Sequence, residues 1–358
     1  MKFNSAWRKT VWLIVAVLSF CFFWRCPAQN FTKPRVFFSD TNSVLSARVK
    51  DPSVVRFQGK YWMYYSAWLT QAKITVGIAT SDNLLDWTPQ SLLPLVGEHK
   101  TNGIAAPGAF VWSNRIHLFY QSYNNGTNDC IQHAWSSDGI NFTRDPSNPI
   151  VKPTGNWNSG RAIDAEVKVV GTNLFLYWAT RDPRSVTQML GLSVAPLNSD
   201  WSHPQWTQLS TNGPLLQPCV PTALDVAAGL PAANIAWEGK CIEAAALAEH
   251  GGYYYLFYAG GYNNAPQQIG VAVSRNGINF KRMFNGAPLL KRGVKGTWNY
   301  SESGHPGVFQ DADGRDYLFY QGDNLELKLE WRISMLPVRW KQVGAGLPDE
   351  PVLDLSLQ

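Results

Sequence analysis

The chain has 358 residues, of which 16% are charged and 13% are aromatic, with a formal net charge of +5. Its 16 Trp, 14 Tyr and 17 Phe residues exclude a disordered chain, because so much aromatic surface has to be buried. Only one apolar run approaches membrane length, which excludes a protein with several membrane spans.

That apolar run lies at the N-terminus. Lys2, Arg8 and Lys9 precede an uncharged stretch over residues 11–24, and small residues follow near residue 28. A short apolar stretch behind a basic end predicts a secretory signal peptide over residues 1–28, with an uncleaved N-terminal anchor as the alternative. Cleavage would lower the net charge to +1, because the leader carries four basic residues and no acid. We therefore expect a secreted or periplasmic protein without membrane association after cleavage, and without a nucleic-acid partner.

After the leader, one pattern occurs five times. A short apolar strand headed by a distinctive residue crosses a Gly or Asn turn into a second strand rich in Tyr, Trp and Phe, which is typical of a β-hairpin. The five leading residues are Asp51, Ala106, Asp164, Glu243 and His305. The second strands lie at residues 61–65, 116–120, 174–178, 253–258 and 317–320.

A third strand, a polar turn and an aromatic residue that opens a fourth strand follow four of the hairpins. These aromatic residues are Trp87, Phe142, Trp201 and Phe280. Four strands per unit, in five units of roughly 60 residues, predict an all-β, five-bladed β-propeller that occupies residues 30–358 as a single domain. A β-sandwich is the alternative, but it would not explain five matched hairpins.

One step between repeats is longer than the others. It contains a Pro- and Ala-rich insertion at about residues 214–240, before the inner strand of the fourth blade. Cys219 lies within it and Cys241 directly follows it, and export would permit a disulfide between them. The alternative is that both are thiols, and Cys130 is left over in either case.

The innermost strand of each blade lines the channel of a propeller, so the five leading residues should form a ring. Three of them are carboxylates and one is a histidine. Converging carboxylates suit glycoside hydrolysis, in which one carboxyl protonates the leaving oxygen and another activates water. A calcium-binding channel is the competing chemical interpretation, because carboxylates also bind calcium.

Three segments resemble glycoside hydrolase family 43. They are residues 49–53 (VKDPS), Glu243 followed by residues 252–258 (GYYYLFY), and residues 304–309 (GHPGVF) followed by Asp313-Gly314. The similarity extends from Asp51 to about Trp340. It implies a five-bladed propeller that hydrolyses glycosidic bonds with inversion, as α-L-arabinofuranosidases, β-xylosidases and arabinanases do.

The resemblance also implies roles for individual residues. Asp51 would be the general base, Asp164 would orient the acid and tune its pKa, and Glu243 would be the general acid. His305 would help to hold a calcium ion through water, and Arg332 would contact the sugar. No cofactor is expected to be required, and calcium in the channel would be structural.

Further substrate contacts are expected near the ring. Flat aromatic rings stack on sugars, whereas amide and guanidinium groups bind hydroxyls. The candidates are Trp68, Trp157, Tyr262 and Trp298 for stacking, and Asn158 and Arg181 for hydrogen bonding. We therefore expect a monomeric glycosidase acting on a plant- or algal-type oligosaccharide or polysaccharide. Two alternatives remain: a non-catalytic carbohydrate-binding propeller, and a glycosidase of a related propeller family with a different sugar.

Overall fold

Each hairpin forms the first two strands of a four-stranded antiparallel sheet in the computed structural model, which describes residues 31–93, 103–219 and 235–357. The five sheets are the blades of a β-propeller, so the predicted fold class is confirmed. Residues 31–358 form one compact unit. The predicted signal peptide and most of the predicted insertion lie outside the described residues.

The strands follow one another from the inside of each blade to its outside, in chain order. Blade 1 contains β1 to β4, at Val49–Phe57, Lys60–Trp68, Ile74–Ser81 and Thr88–Leu92. Blade 2 contains β5 to β8, at Ile104–Trp112, Arg115–Ser122, Ile131–Ser136 and Thr143–Arg144. Blade 3 contains β9 to β12, at Ile163–Val170, Asn173–Arg181, Gln188–Pro196 and Thr207–Gln208. Blade 4 contains β13 to β16, at Ile242–His250, Tyr253–Gly260, Gln268–Ser274 and Lys281–Arg282. Blade 5 contains β17 to β20, at Glu302–Gln310, Asp316–Asn324, Leu329–Lys341 and Glu350–Leu353.

The hydrophobic core is divided among the spaces between blades. The inner strands β1, β5, β9, β13 and β17 neighbour one another in that order and close into a ring. A buried apolar cluster fills the space between each pair of adjacent blades, including the pair formed by blades 1 and 5. Burial of these clusters supplies the main driving force that holds the blades together.

Close approach of the inner strands requires glycine. A Cβ on Gly307 of β17 would lie 2.1 Å from the carbonyl oxygen of Pro52 in β1, and one on Gly108 would lie 2.2 Å from that of Ala165. Any larger residue would push the neighbouring strand away and widen the channel.

Every inner strand carries a β-bulge at the same place, where two residues lie opposite one aromatic residue of the second strand. The first residue of each bulge has a positive φ: 56° at Asp51, 45° at Ala106, 52° at Asp164, 53° at Ala244 and 43° at His305. The fourth member of the ring is therefore Ala244, and the expected position of Glu243 is corrected by one residue. Glu243 pairs regularly with Ala259 just before the bulge. Proline occupies the second bulge position in blades 1, 2 and 5. Blade 4 has alanine at this position, so its sequence alone does not show where the bulge begins.

The segment before β1 joins the first and last blades. The backbone of Phe38 pairs with Ile333 of β19 in both directions, at 2.8 and 3.1 Å. Tyr65 of β2 donates a hydrogen bond to the buried carboxylate of Asp40 at 2.7 Å. This segment therefore contacts both blades at the point where the ring closes.

One further expectation is corrected by the structure, and one open alternative is decided. Trp87, Phe142 and Phe280 immediately precede fourth strands, but Trp201 precedes a 3₁₀ turn, and β12 begins only at Thr207. Cys219 and Cys241 are both buried but are not joined by a disulfide. Within the described residues, no helix has both the length and the apolar character needed to cross a membrane.

Candidate active site

A cavity of about 670 Å³ lies at the end of the channel where the inner strands carry their bulges. Asp51, Asp164, Glu243 and His305 all line it, so the structure brings together the four ionisable groups expected there. The three carboxyl groups are buried. The positive φ of Asp51, Asp164 and His305 turns these residues out of the regular pleat at this mouth.

Asp51 is held as an anion. The Ser66 hydroxyl donates to Oδ2 at 2.5 Å, while His305 Nδ1 lies 3.0 Å and Lys50 Nζ 3.7 Å from Oδ1. Burial alone would raise the pKa of this carboxyl. The combined effect of His305, Lys50 and the Ser66 hydrogen bond is larger and holds the pKa of Asp51 below its ordinary value. An ionised carboxylate is the form that a general base needs.

Asp164 has the opposite electrostatic environment. Its backbone N–H donates to Gln121 Oε1 at 2.9 Å, which fixes the backbone of the bulge. Burial, together with the negative charges of Glu243 and Asp51, raises the pKa of Asp164 well above its ordinary value. The cavity therefore contains a carboxyl group that retains a proton under conditions in which Asp51 has lost its own.

Two glutamine side chains orient Glu243. Gln267 Nε2 donates to Oε1 of Glu243 at 2.7 Å, and Gln188 Nε2 donates to Oε2. Gln188 begins β11 of the neighbouring blade 3, whereas Gln267 directly precedes β15 of blade 4, the blade of Glu243 itself. With both oxygens held, the carboxyl group of Glu243 has a defined position beside Asp164.

Glycine at residue 304 makes the position of Gln267 possible. A Cβ built on Gly304 would lie 1.8 Å from Gln267 Oε1. The orientation of Glu243 therefore depends on residue 304, in the next blade, being a glycine.

Three predicted substrate contacts line the cavity, namely Trp68, Arg181 and Tyr262. The other four do not line it, and each is engaged elsewhere. Trp157 stacks on Trp178, and its indole donates to the carbonyl oxygen of Ser210. Asn158 is buried and bonds to backbone groups within its own loop. Trp298 is buried in the core between blades 4 and 5. Arg332 donates to the carbonyl oxygens of Ser46, Glu330 and Trp331.

Trp331, which was not among the site residues predicted from the sequence, faces Trp68 across one wall of the cavity. The two rings are parallel within 3°, with centroids 6.4 Å apart, and the guanidinium of Arg48 lies 4.0 Å from the Trp68 ring. The Trp331 indole donates to Oε1 of the buried Glu302 at 2.7 Å. A Trp that precedes an Arg on an outer strand has no distinctive sequence signal.

The described residues do not form a calcium site built by the protein. No group of three or more His, Cys, Asp or Glu side chains among them has a metal-binding arrangement. Calcium prefers several oxygen ligands, whereas His305 offers a ring whose Nδ1 already contacts Asp51. The residues around His305 therefore do not fit a calcium ion held directly by protein side chains.

The fold and the carboxyl cluster define a propeller glycosidase. Residues 40–345 match the model for glycosyl hydrolases family 43, and the chain belongs to this family. No curated protein sequence matches the chain.

Solved structures share the fold at low sequence identity. A thermostable family-43 glycoside hydrolase has a TM-score of 0.62 and 17% identity, with 90% of this chain and 96% of that chain covered. An exo-1,5-α-L-arabinanase from a bovine ruminal metagenomic library has a TM-score of 0.59 and 21% identity, covering 86% and 97%. A family-32 β-fructofuranosidase from Bombyx mori has a TM-score of 0.62 and 16% identity, covering 89% of this chain and 65% of that one.

Proposed function

We propose that this protein is a secreted, inverting glycosidase of the α-L-arabinofuranosidase or β-xylosidase type. Asp51 is its general base, Glu243 its general acid, and Asp164 the group that keeps the acid protonated. The observation that carries the proposal is the opposite electrostatic environment of two carboxyl groups in one cavity: the pKa of Asp51 is lowered, whereas the pKa of Asp164, the neighbour of the acid Glu243, is raised. Such a separation is how an active site assigns base and acid roles to chemically similar groups.

In this mechanism Asp51 accepts a proton from water while that water attacks the anomeric carbon. Lys50 and His305 stabilise the negative charge of the base before the reaction, and Ser66 fixes one of its oxygens. The proton passes to Asp51 as the oxygen–carbon bond forms.

On the opposite side of the sugar, Glu243 donates a proton to the glycosidic oxygen as its bond to the anomeric carbon breaks. Burial and the negative charges of the neighbouring carboxylates raise the pKa of Asp164, so the Asp164–Glu243 pair retains a proton for this step. Gln188 and Gln267 hold the acid in position through the reaction.

The test compares aryl α-L-arabinofuranosides and β-D-xylosides as substrates for the protein, with Asp51→Asn and Glu243→Gln as variants. Loss of general base catalysis should lower kcat about 10²- to 10⁴-fold in Asp51→Asn, whatever the leaving group. Glu243→Gln should lose more activity with a poor alkyl leaving group than with 4-nitrophenol, because nitrophenolate needs little protonation. The anomer formed first, observed by NMR, should be inverted.

Retained activity in both amide variants would refute these roles. Retention of configuration would refute the water-activating role of Asp51. Glycan binding without any hydrolysis would favour the non-catalytic alternative.

A further inference from the structure

One cationic side chain of the cavity has no carboxylate at ion-pair distance among the described residues. Four basic residues line it: Arg48, Lys50, Arg161 and Arg181. Three of these are within 4.0 Å of a carboxylate: Arg48 with Glu330 at 3.4 Å, Lys50 with Asp51 at 3.7 Å, and Arg161 with Asp129 at 3.3 Å. Among the described residues, Arg181 has no such partner.

The guanidinium of Arg181 is fixed at one edge only. Its Nε donates to Gln188 Oε1 at 3.1 Å, and Arg161 Nη1 donates to the same oxygen at 3.3 Å. The two terminal nitrogens of Arg181 have no hydrogen-bond partner in the described part of the chain. These nitrogens present the planar donor pair that binds a carboxylate or sulfate through two parallel hydrogen bonds.

The position of Arg181 relative to Glu243 indicates which sugar unit of the substrate would contact Arg181. Gln188 contacts both Arg181 and Glu243, so one glutamine side chain separates the guanidinium from the group that protonates the leaving oxygen. Tyr262 borders the same space, with its ring centroid 5.6 Å from the Arg181 guanidinium. The leaving-group sugar would lie here, with the tyrosine ring as a platform.

We propose that Arg181, supported by Arg161 and Gln188, is an anion-recognition site for a negatively charged leaving-group sugar, either a uronic acid or a sulfated sugar. This inference rests on the proposed function for the placement of the leaving group. A neutral pentose or hexose would leave the terminal nitrogens of Arg181 with hydroxyl partners only. A carboxylate or sulfate would satisfy both nitrogens and balance the charge.

The test measures direct binding of three ligands to the full-length protein by titration calorimetry. They are D-galacturonate, its uncharged methyl ester and D-galactose 6-sulfate. A charged ligand should bind about tenfold more tightly than the ester, since charge-assisted hydrogen bonds contribute more than neutral ones. The ligand that shows this preference identifies carboxylate or sulfate as the natural group. High salt should weaken the preference.

Variants test whether Arg181 is responsible for the preference for charged ligands. Arg181→Gln should reduce it to within about twofold, whereas Arg181→Lys should retain part of it because the charge remains. Arg184→Gln is the matched control: Arg184 is exposed, lies three residues away and does not line the cavity. It should leave binding unchanged. Thermal unfolding of each variant confirms that the fold is intact.

Two results would overturn the proposal: equal binding of charged and uncharged ligands, including no binding of any of them, or an undiminished charge preference in Arg181→Gln. These results are separable from failure of the glycosidase assignment. Hydrolysis of neutral aryl glycosides that depends on Asp51, without any anion preference, refutes only the anion site. An Arg181-dependent preference without hydrolysis of any substrate refutes only the glycosidase mechanism.

Discussion

The side-chain oxygen of Gln321 accepts a hydrogen bond from the backbone N–H of Asp51, at 3.0 Å. Gln321 belongs to blade 5 and Asp51 to blade 1, so the last blade fixes the bulge that carries the proposed base. Gln121 makes the equivalent bond to Asp164 at 2.9 Å, and Ser66 Oγ makes it to Ala106 at 2.8 Å. At these three junctions, a side chain from the second strand of one blade holds the first bulge residue of the next blade in place.

Replacement of Gln321 should therefore affect both stability and catalysis. Gln321→Met leaves the buried N–H of Asp51 unpaired and removes a donor from Glu302. We expect a loss of about 1–3 kcal/mol in the free energy of unfolding and a lower kcat. Urea denaturation and steady-state kinetics measure the two effects. Gln205→Met, at an exposed position, should change neither, and an unchanged kcat in Gln321→Met would refute the positioning role.

The pH dependence of kcat/KM should reflect the two shifted carboxyls. Because the pKa of Asp51 is lowered, activity should persist on the acid side to below the usual aspartate range. The alkaline limb should report loss of the proton held by the Asp164–Glu243 pair. Asp164→Asn removes the carboxyl group of the pair whose pKa is raised, so the alkaline limb should move to lower pH. An alkaline limb that stays in place in Asp164→Asn would contradict this assignment.

The same variant should be more stable than the wild type at neutral pH. The folded-state pKa of Asp164 is raised, so the folded protein binds more protons than the unfolded chain between the two pKa values. Stability is therefore lost as pH rises through this window. Asparagine does not titrate, so Asp164→Asn should have the higher unfolding temperature at pH 7, and the advantage should disappear below the unfolded-state pKa.

Glu166 provides a control without a catalytic role. It lines the cavity at the other end of the channel, and burial raises its pKa to about 8. Glu166→Gln should also stabilise the protein at neutral pH but leave kcat unchanged. If Asp164→Asn alone failed to gain stability, its raised pKa would be refuted.

Gly304→Ala should impair catalysis without filling the substrate cavity. The new Cβ would overlap Gln267, which must then move and release Glu243. Misplacement of the acid should lower kcat on the order of 10- to 100-fold. Gly213→Ala is the matched control, because a Cβ there has no heavy atom within 4 Å. Equal activities of the two variants would show that Gln267 does not orient the acid.

Phe38→Ala tests ring closure. Phe38 lies in the core shared by blades 1 and 5 and packs edge-on against Tyr65 at a centroid distance of 5.0 Å. Its truncation should cost about 3–5 kcal/mol of unfolding free energy. Lys33→Ala, in the same segment, should have little effect, because Lys33 is exposed. A loss below 1 kcal/mol would contradict the role of Phe38 in joining these blades.

The blade architecture was predictable because each inner hairpin has a strong local signal. Aromatic runs such as residues 253–258 follow a glycine turn, and counting these runs counts the blades. Outer strands were harder to predict. β8, β12 and β16 contain two residues each, and Trp201 resembled a strand opener although the strand begins six residues later.

The carboxylates of the site were predictable, but their partners were not. Asp51 and Asp164 mark the heads of repeats, whereas Gln188 and Gln267 lie in or beside outer strands whose side chains face the channel only after the blades assemble. The sequence did not show that the bulge of blade 4 begins at Ala244 and not at Glu243, because a β-bulge is defined by the pairing of two strands and not by one segment. Partners brought together by different blades leave no local sequence pattern.

Five residues share one backbone conformation around the channel mouth, yet only three of them carry a functional group. The other two, Ala106 and Ala244, end in a methyl group. Asparagine tolerates a positive φ well, so the backbone conformation of Ala106, which lines the cavity, is compatible with a polar side chain. A functional group could therefore be added at this position, and the reaction catalysed at the channel mouth could change while the propeller itself stayed the same.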